Sequence, residues 1–427
     1  MSIRQLSLTA GLVILAVAMT APVAAQSAAP VTPPLSLAQA LQAARTNLDV
    51  SLARRALAAA QGDVTAANHA PAPILSAKAA SIDLQNGIGG GNVLTQKRID
   101  KAIGLDWTYE RGNKRELRTL AAQRTASAAQ ADIDETLVQQ QLATSSAFFD
   151  LLAAQERIEQ VGSIARSAAE LATTAARRVQ AGDLPALDAS RTEIEAQRAR
   201  TDLATAQLDR QRAALALAQL TGLTNPASLV AQADWPASLA LDATTPEGAI
   251  FPAVESRPDV RAAVQRAGAA RAALDVATAQ KKADITLGTS LDHFPGTSNR
   301  LLEVRVQMPL YGLLGGYNFQ GEIARAQAQL DQADDVLEKT RRAATAELQR
   351  LQQDRQGAAA RVLSYEDTIL PRARQVAEMA ELAYRKGAMS LTELLDARRT
   401  LRSILIEALG ARTDYAKALQ AWQLRQP

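Results

Sequence analysis

A chain of 427 residues whose 47% hydrophobic share is dominated by alanine, with 3% aromatics, gains little from thick cores at ~25 cal/mol per Å² of buried apolar area, so long helices packed side by side are favoured over several globular domains. The net charge of +3 is spread without a basic block interleaved with aromatics, which argues against nucleic acid as a partner. With 0 Cys and two distant histidines, His69 and His293, the chain has no disulfide, no cysteine for a lipid anchor, no His-based dyad and no multi-histidine metal site.

Residues 1–25 read as a secretory signal peptide. Arg4 supplies positive charge, Leu8 to Met19 is apolar, and Val23-Ala24-Ala25 offers small residues for cleavage. The apolar run is shorter than the ~20 residues a spanning helix needs. A flexible leader follows over 26–33.

The first structural repeat spans 26–222. Ser36 is placed to cap a helix before Leu37 and Leu41, and Asn47-Leu48-Asp49-Val50 opens an Ala/Arg/Gln stretch that Pro71 and Pro73 end. Strands are predicted over about 74–85 and 101–110. The first is the least regular, because Leu75-Ala77-Ala79 and Ile82-Leu84 fall on opposite faces. Gly87 to Gly91 lies between strands and precedes no helix, so it reads as an outer loop and not as a phosphate cradle. In the second strand Ile103, Leu105, Trp107 and Tyr109 alternate with Gly104, Asp106, Thr108 and Glu110. A long hairpin is predicted over about 114–221. From Lys114 to Gln180 there is no proline, and glycine only at Gly162. That is roughly 100 Å of helix at 1.5 Å per residue.

A connector over 223–256 carries Pro226, Pro236, Pro246 and Pro252, with Trp235 and Phe251 as anchors against the helices. The second repeat, 257–427, restates the first from Arg257-Pro258-Asp259-Val260. Its strands are predicted over about 284–293 and 301–311. Ile285, Leu287 and Leu291 oppose Thr286, Gly288, Ser290 and Asp292. Leu302, Val304, Val306, Met308 and Leu310 alternate with Glu303, Arg305 and Gln307, and Pro295-Gly296 turns between the strands. The second hairpin covers about 316–424, with a kink expected at Pro371.

Such alternation gives one dry and one wet face. An ordinary sheet on a core would serve, but little else in the chain offers a core to cover. A small transmembrane barrel is the alternative, with ~9–11 residues per spanning strand. Four strands cannot close a barrel, and lipid tolerates no open edge, so several copies would have to contribute. The predicted fold class is therefore mainly α, with duplicated helical hairpins and a small membrane β-barrel.

The hairpins reverse at Gly182 and Gly387, residues free to adopt positive φ. Arg177 and Arg178 precede the first break, and Arg385 and Lys386 the second, where cations stabilise helix C-termini. Glu393 and Asp396 stand three apart, on one helix face. Acids near a helix start are favoured in any case.

The duplicated layout, Leu35-Ser36-Leu37-Ala38-Gln39-Ala40-Leu41, Ala147-Phe148-Phe149-Asp150-Leu151-Leu152-Ala153-Ala154-Gln155-Glu156 and the two glycine breaks resemble the TolC-type outer-membrane efflux proteins. Tyr109-Glu110-Arg111-Gly112-Asn113-Lys114-Arg115 and Gln320-Gly321-Glu322-Ile323-Ala324-Arg325-Ala326 lean toward the heavy-metal and cation branch. The resemblance implies a homotrimer with a twelve-stranded barrel in outer-membrane lipid, a helical tunnel in the periplasm, a periplasmic adaptor and an inner-membrane pump. It implies no enzyme activity and no cofactor. Gly182, Asp183, Leu184 and Pro185 with Gly387, Ala388, Met389 and Ser390 would meet the adaptor. Glu393-Leu394-Leu395-Asp396-Ala397 aligns with the family's aperture segment, which typically carries Asp at both acidic places, so Glu393 departs from it; Asp188 is the counterpart in the first repeat. The rival functions are a periplasmic adaptor, which would show one hairpin beside a lipoyl-like domain, and a soluble coiled-coil scaffold, which has no need of alternating strands.

Overall fold

The computed structural model describes residues 34–82, 85, 99–237, 253–294, 298–311 and 316–426. The predicted signal peptide, the Gly87–Gly91 loop, the Pro295-Gly296 turn and Pro246, Phe251 and Pro252 lie outside them.

Two short helices lead in, α1 (Leu37–Ala44) and α2 (Leu48–Ala67). Ser36 caps α1 reciprocally with Gln39, and Asn47 caps α2 through the Asp49 N–H. Then come β1 (Ile74–Ala80), β2 (Asp100–Tyr109) and the hairpin of α3 (Lys114–Gln180) and α4 (Ala186–Thr221). After the connector, α5 (Pro258–Ala279) precedes β3 (Ile285–Phe294) and β4 (Ser298–Gln307). The second hairpin comprises α6 (Gln320–Leu363), a π-helical turn (Ser364–Ile369), α7 (Leu370–Arg385) and α8 (Leu391–Arg425). The π turn sits immediately ahead of Pro371, whose ring would clash with the carbonyl four residues back in a regular helix.

The four strands form one antiparallel sheet in the order β1-β2-β3-β4. β1 stops at Ala80 because Ser81 adopts φ +59, which removes the face conflict between Leu75 and Ile82. β4 stops at Gln307, so Met308 and Leu310 lie past the strand that was predicted to hold them. Pro309 has no N–H to extend the ladder, and Met308 instead approaches Arg111 Nη1 at 3.7 Å.

Near the hairpin tips α4 packs on α3, α3 on α8 and α8 on α7. The seams are made largely of small residues: Ala196, Ala199 and Ala206 on α4, and Ala373, Ala377 and Ala380 on α7, are buried. The thickest core forms where the connector crosses α3. Phe148 meets Phe149 edge-on at 5.6 Å, and Phe149 stacks on Trp235 at 6.1 Å. Gln155 holds the connector by both ends of its amide, donating to the Ala231 carbonyl at 2.9 Å and accepting from its N–H at 2.8 Å. Trp235 donates to Glu156 at 2.8 Å. The Ala147–Glu156 segment thus clamps the connector to the long helix.

A buried ion cluster ties the start of α5 to the end of α8. Arg257 and Arg425, whose side chains are 3% exposed, share Glu347; Arg257 also binds Asp259 at 2.8 Å and Arg425 binds Glu135 at 2.8 Å. Burial alone would lower the Arg257 guanidinium, but the Asp259 and Glu347 carboxylates outweigh it and hold its pKa above the usual arginine value.

Candidate functional site

Both hairpin tips are built the same way. Gly182 (φ +82) and Gly387 (φ +75) follow the last helical residues in left-handed geometry. In the first tip Asp183 N–H reaches the Arg178 carbonyl and Gly182 N–H the Val179 carbonyl; in the second, Ala388 reaches Ala383 and Gly387 reaches Tyr384. This paired pattern satisfies carbonyls that a helix end leaves open. Gly182, Asp183, Pro185, Gly387, Ala388 and Ser390 are exposed, while Leu184 and Met389 are half-buried. Met389 packs against the cluster of Ala380, Leu391, Leu394 and Leu395.

The acidic residues lie just beyond these tips. Ser390 and Glu393 form a capping box: the Ser390 N–H and Oγ both donate to Glu393 Oε2, at 2.9 and 2.8 Å, and Glu393 N–H returns to Ser390 Oγ. The Ser390 donors hold the Glu393 carboxyl below the ordinary glutamate range, backbone N–H first. The extra methylene that sets Glu393 apart from aspartate is what lets it fold back onto the cap. Asp396 remains 65% exposed, with Arg399 at 3.5 Å. Asp188 pairs with Arg191 at 3.4 Å, and Arg191 also donates to Thr392 Oγ1 at 3.2 Å, which brings the acids of the two repeats to one end.

Further ties between α4 and α8 escaped the sequence reading. Arg399 donates to Glu195 at 2.8 Å, and Arg402 pairs with Asp202. The Arg399 guanidinium keeps the Glu195 carboxyl below its usual range. Arg398 reaches back to Glu381 on α7 at 2.9 Å. Apart from Asp202, these same side chains, with Leu171, Arg374, Leu395 and Leu405, line a cavity of about 480 Å³ between the two hairpins. A charge repeat on α8, arginines three apart, was the only local hint of a matching acid stripe on α4.

The sheet presents the second candidate surface. Ile103, Leu105, Trp107 and Tyr109, Leu287 and Leu291, and Leu302, Val304 and Val306 are all exposed, with Ile285 half-buried beside them. Register joins them into rows: Ile103 faces Leu291 and Leu291 faces Leu302, while Trp107 faces Leu287 and Leu287 faces Val306. The opposite face is largely polar, although Ile74 and Leu301 also lie on it, opposite Asp106 and Asp292. Thr108 and Thr286 hydroxyls lie 3.0 Å apart, and Ser290 donates to Asp292 at 3.0 Å. Among the described residues no group of three or more His, Cys, Asp or Glu could hold a metal, and no helix is long and apolar enough to cross a membrane.

A family model described as "Outer membrane efflux protein" matches residues 250–424. The chain is 28% identical over 384 residues to the cobalt-zinc-cadmium resistance protein CzcC of Cupriavidus metallidurans, covering 88% of this chain and 86% of that one. Its fold is shared with the outer-membrane channel OprN at TM-score 0.75 and 22% identity, covering 91% of this chain and 89% of that one. It is shared as well with CusC, at TM-score 0.76 and 17% identity, over 96% and 97% of the two chains. The adaptor alternative finds no support in these likenesses. Over residues 250–424 the chain is similar to outer-membrane efflux proteins by sequence, and it shares its fold with outer-membrane channels.

Proposed function

We propose that the chain is one protomer of an outer-membrane exit duct that passively conducts cargo delivered by an inner-membrane pump and a periplasmic adaptor. The observation that carries the reading is a four-stranded sheet with a continuous exposed apolar face and a polar reverse. In water that face is a liability; in lipid it is the required exterior, provided the edges are closed. Three copies joined edge to edge would supply twelve strands.

The helices support the same assembly. On α4, Leu187, Ile194, Leu208 and Leu215 are exposed at 44–64%, with Thr201 completing a seven-residue spacing. This stripe runs on the face away from the alanine seam with α3. A sustained heptad stripe calls for a partner helix. Val376, Met379 and Leu382 form an exposed stripe on α7, at the other flank of the layer. Joining α7 of one copy to α4 of the next is a head-to-tail contact, the type that generates rings.

In this duct the tips from Gly182 to Pro185 and from Gly387 to Ser390 receive the adaptor. Asp188, Glu393 and Asp396 face the periplasmic entrance, where rings of carboxylates favour cations. Likeness to CzcC makes divalent metal cations the favoured cargo. Purified mature protein reconstituted in planar bilayers tests the reading. Trimers with stepwise conductance are expected, and a soluble monomer that forms no pores would overturn it.

A further inference from the structure

On the polar face of the sheet, Asp106 of β2, Gly288 of β3 and Arg305 of β4 form one cross-strand row. Arg305 Nη2 donates to Asp106 Oδ1 at 2.7 Å. The two residues are two strands apart, on the order of 10 Å of backbone separation at ~4.8 Å per strand, so the long guanidinium must lie across the intervening strand. It can do so only because that strand carries glycine there. A Cβ on Gly288 would collide with Asp106 Oδ1 and stand 3.2 Å from Arg305 Nε and Nη2. Glycine weakens a strand interior, and its φ here is not in the left-handed region, so backbone conformation does not require it. The notch is explained by the charge pair.

Charge along this face is uneven. Among the described residues it carries Asp100, Asp106, Asp292 and Glu303 against Lys78 and Arg305. Arg305 stands over two of the four acids, since its Nη1 also lies 3.7 Å from Glu303. Asp292 is engaged by Ser290, and Lys78 belongs to the edge strand β1. One guanidinium therefore decides how much of the acidic character of the wet face is felt by passing ions.

We infer that Arg305, held across Gly288, is the residue that sets the cation preference of the barrel lumen, an assignment that rests on the exit-duct reading. Rows of charged side chains govern selectivity in pores, and a confined polar passage with low-dielectric walls focuses their field. Gly288 acts through Arg305 as a positioning residue.

The test is the reversal potential of reconstituted channels in a KCl gradient. Arg305→Gln, which keeps an amide donor for Asp106 but no charge, is expected to raise the K⁺/Cl⁻ permeability ratio about fourfold, since one unit charge at ~10 Å in bulk water shifts K⁺ and Cl⁻ in opposite directions by roughly a factor of two each. Asp106→Asn is expected to lower the ratio. Gly288→Ala keeps the charge count and is expected to change the ratio by displacing the guanidinium, a result that a purely structural staple would not produce. Channels that conduct normally in all three variants, with ratios equal to wild type, would overturn the inference and leave the duct standing. Absence of any conductance in the wild type would sink both.

Discussion

Glu393 illustrates how one side chain can answer to two readings. Ser390-Leu391-Thr392-Glu393 carries the reciprocal capping pattern, which the reading of Glu393 as simply an acid near a helix start passes over, and the structure shows both halves of it. Position at the tip suggests an aperture acid; the hydrogen bonds show a helix-start clamp. The two roles separate by substitution. Glu393→Ala removes the clamp and should weaken the start of α8, read as a lower thermal midpoint. Asp396→Ala removes an exposed carboxylate whose pair with Arg399 is a weak surface contact, and should change the midpoint little while weakening block by multivalent cations. If Asp396→Ala leaves cation block untouched, the acid does not line the entrance. The buried cluster is a second residue-scale case. Burial would raise the Asp259 carboxyl, but the Arg257 hydrogen bonds outweigh it and hold it below the ordinary value. A depressed folded-state pKa contributes stability that is complete above the ordinary aspartate pKa of ~3.9 and is lost as pH falls through the folded value. Wild type should therefore exceed Asp259→Asn in thermal midpoint at neutral pH, with the gap narrowing below about pH 4. A gap that stays constant from pH 7 to 3 would show that Arg257 does not rely on that charge.

Among the elements, those with strong periodicity were legible. The long α3 follows from the near absence of glycine and proline between Lys114 and Gln180, and β2 and β3 from strict alternation. Local detail that depends on one residue was not: Ser81 ends β1 by its φ, Pro309 ends β4 by its missing N–H, and Pro371 is absorbed by a π turn rather than a bare kink. Least legible were contacts across some two hundred residues, such as Arg399 with Glu195, because no local rule pairs α8 with α4. Yet these ties fix how the two hairpins sit at the tips. They are partly buried, with Arg399 49% and Glu195 14% exposed, so each is worth on the order of 1 kcal/mol. Arg399→Gln and Glu195→Gln should each raise resting conductance, and the double variant should add little beyond either single change. Fully additive effects would mean that the two side chains act independently.

At the scale of the whole molecule, both layers end in unpaired flanks: β1 and β4 in the sheet, α4 and α7 in the helices. In the proposed duct, the operation that joins β4 to the next β1 would also join α7 to the next α4, so that the two layers close together. Depth along the helices makes this specific. Ile194 lies eight residues beyond Ala186, the first residue of α4, and Val376 nine before Arg385, the last of α7, so the two stripes are level when tips are level. The natural chain has 0 Cys, which leaves no background for crosslinking. Ile194→Cys combined with Val376→Cys should yield, under mild oxidation, covalent dimers and trimers on denaturing gels, whereas either single variant should run as monomer. Disulfides need Cα atoms within about 7 Å, so ladder formation reports direct juxtaposition and not mere proximity in the membrane. Should the double variant stay monomeric while its channels still conduct, α4 does not face α7 of the neighbour, and the ring must be closed through another pair of helices.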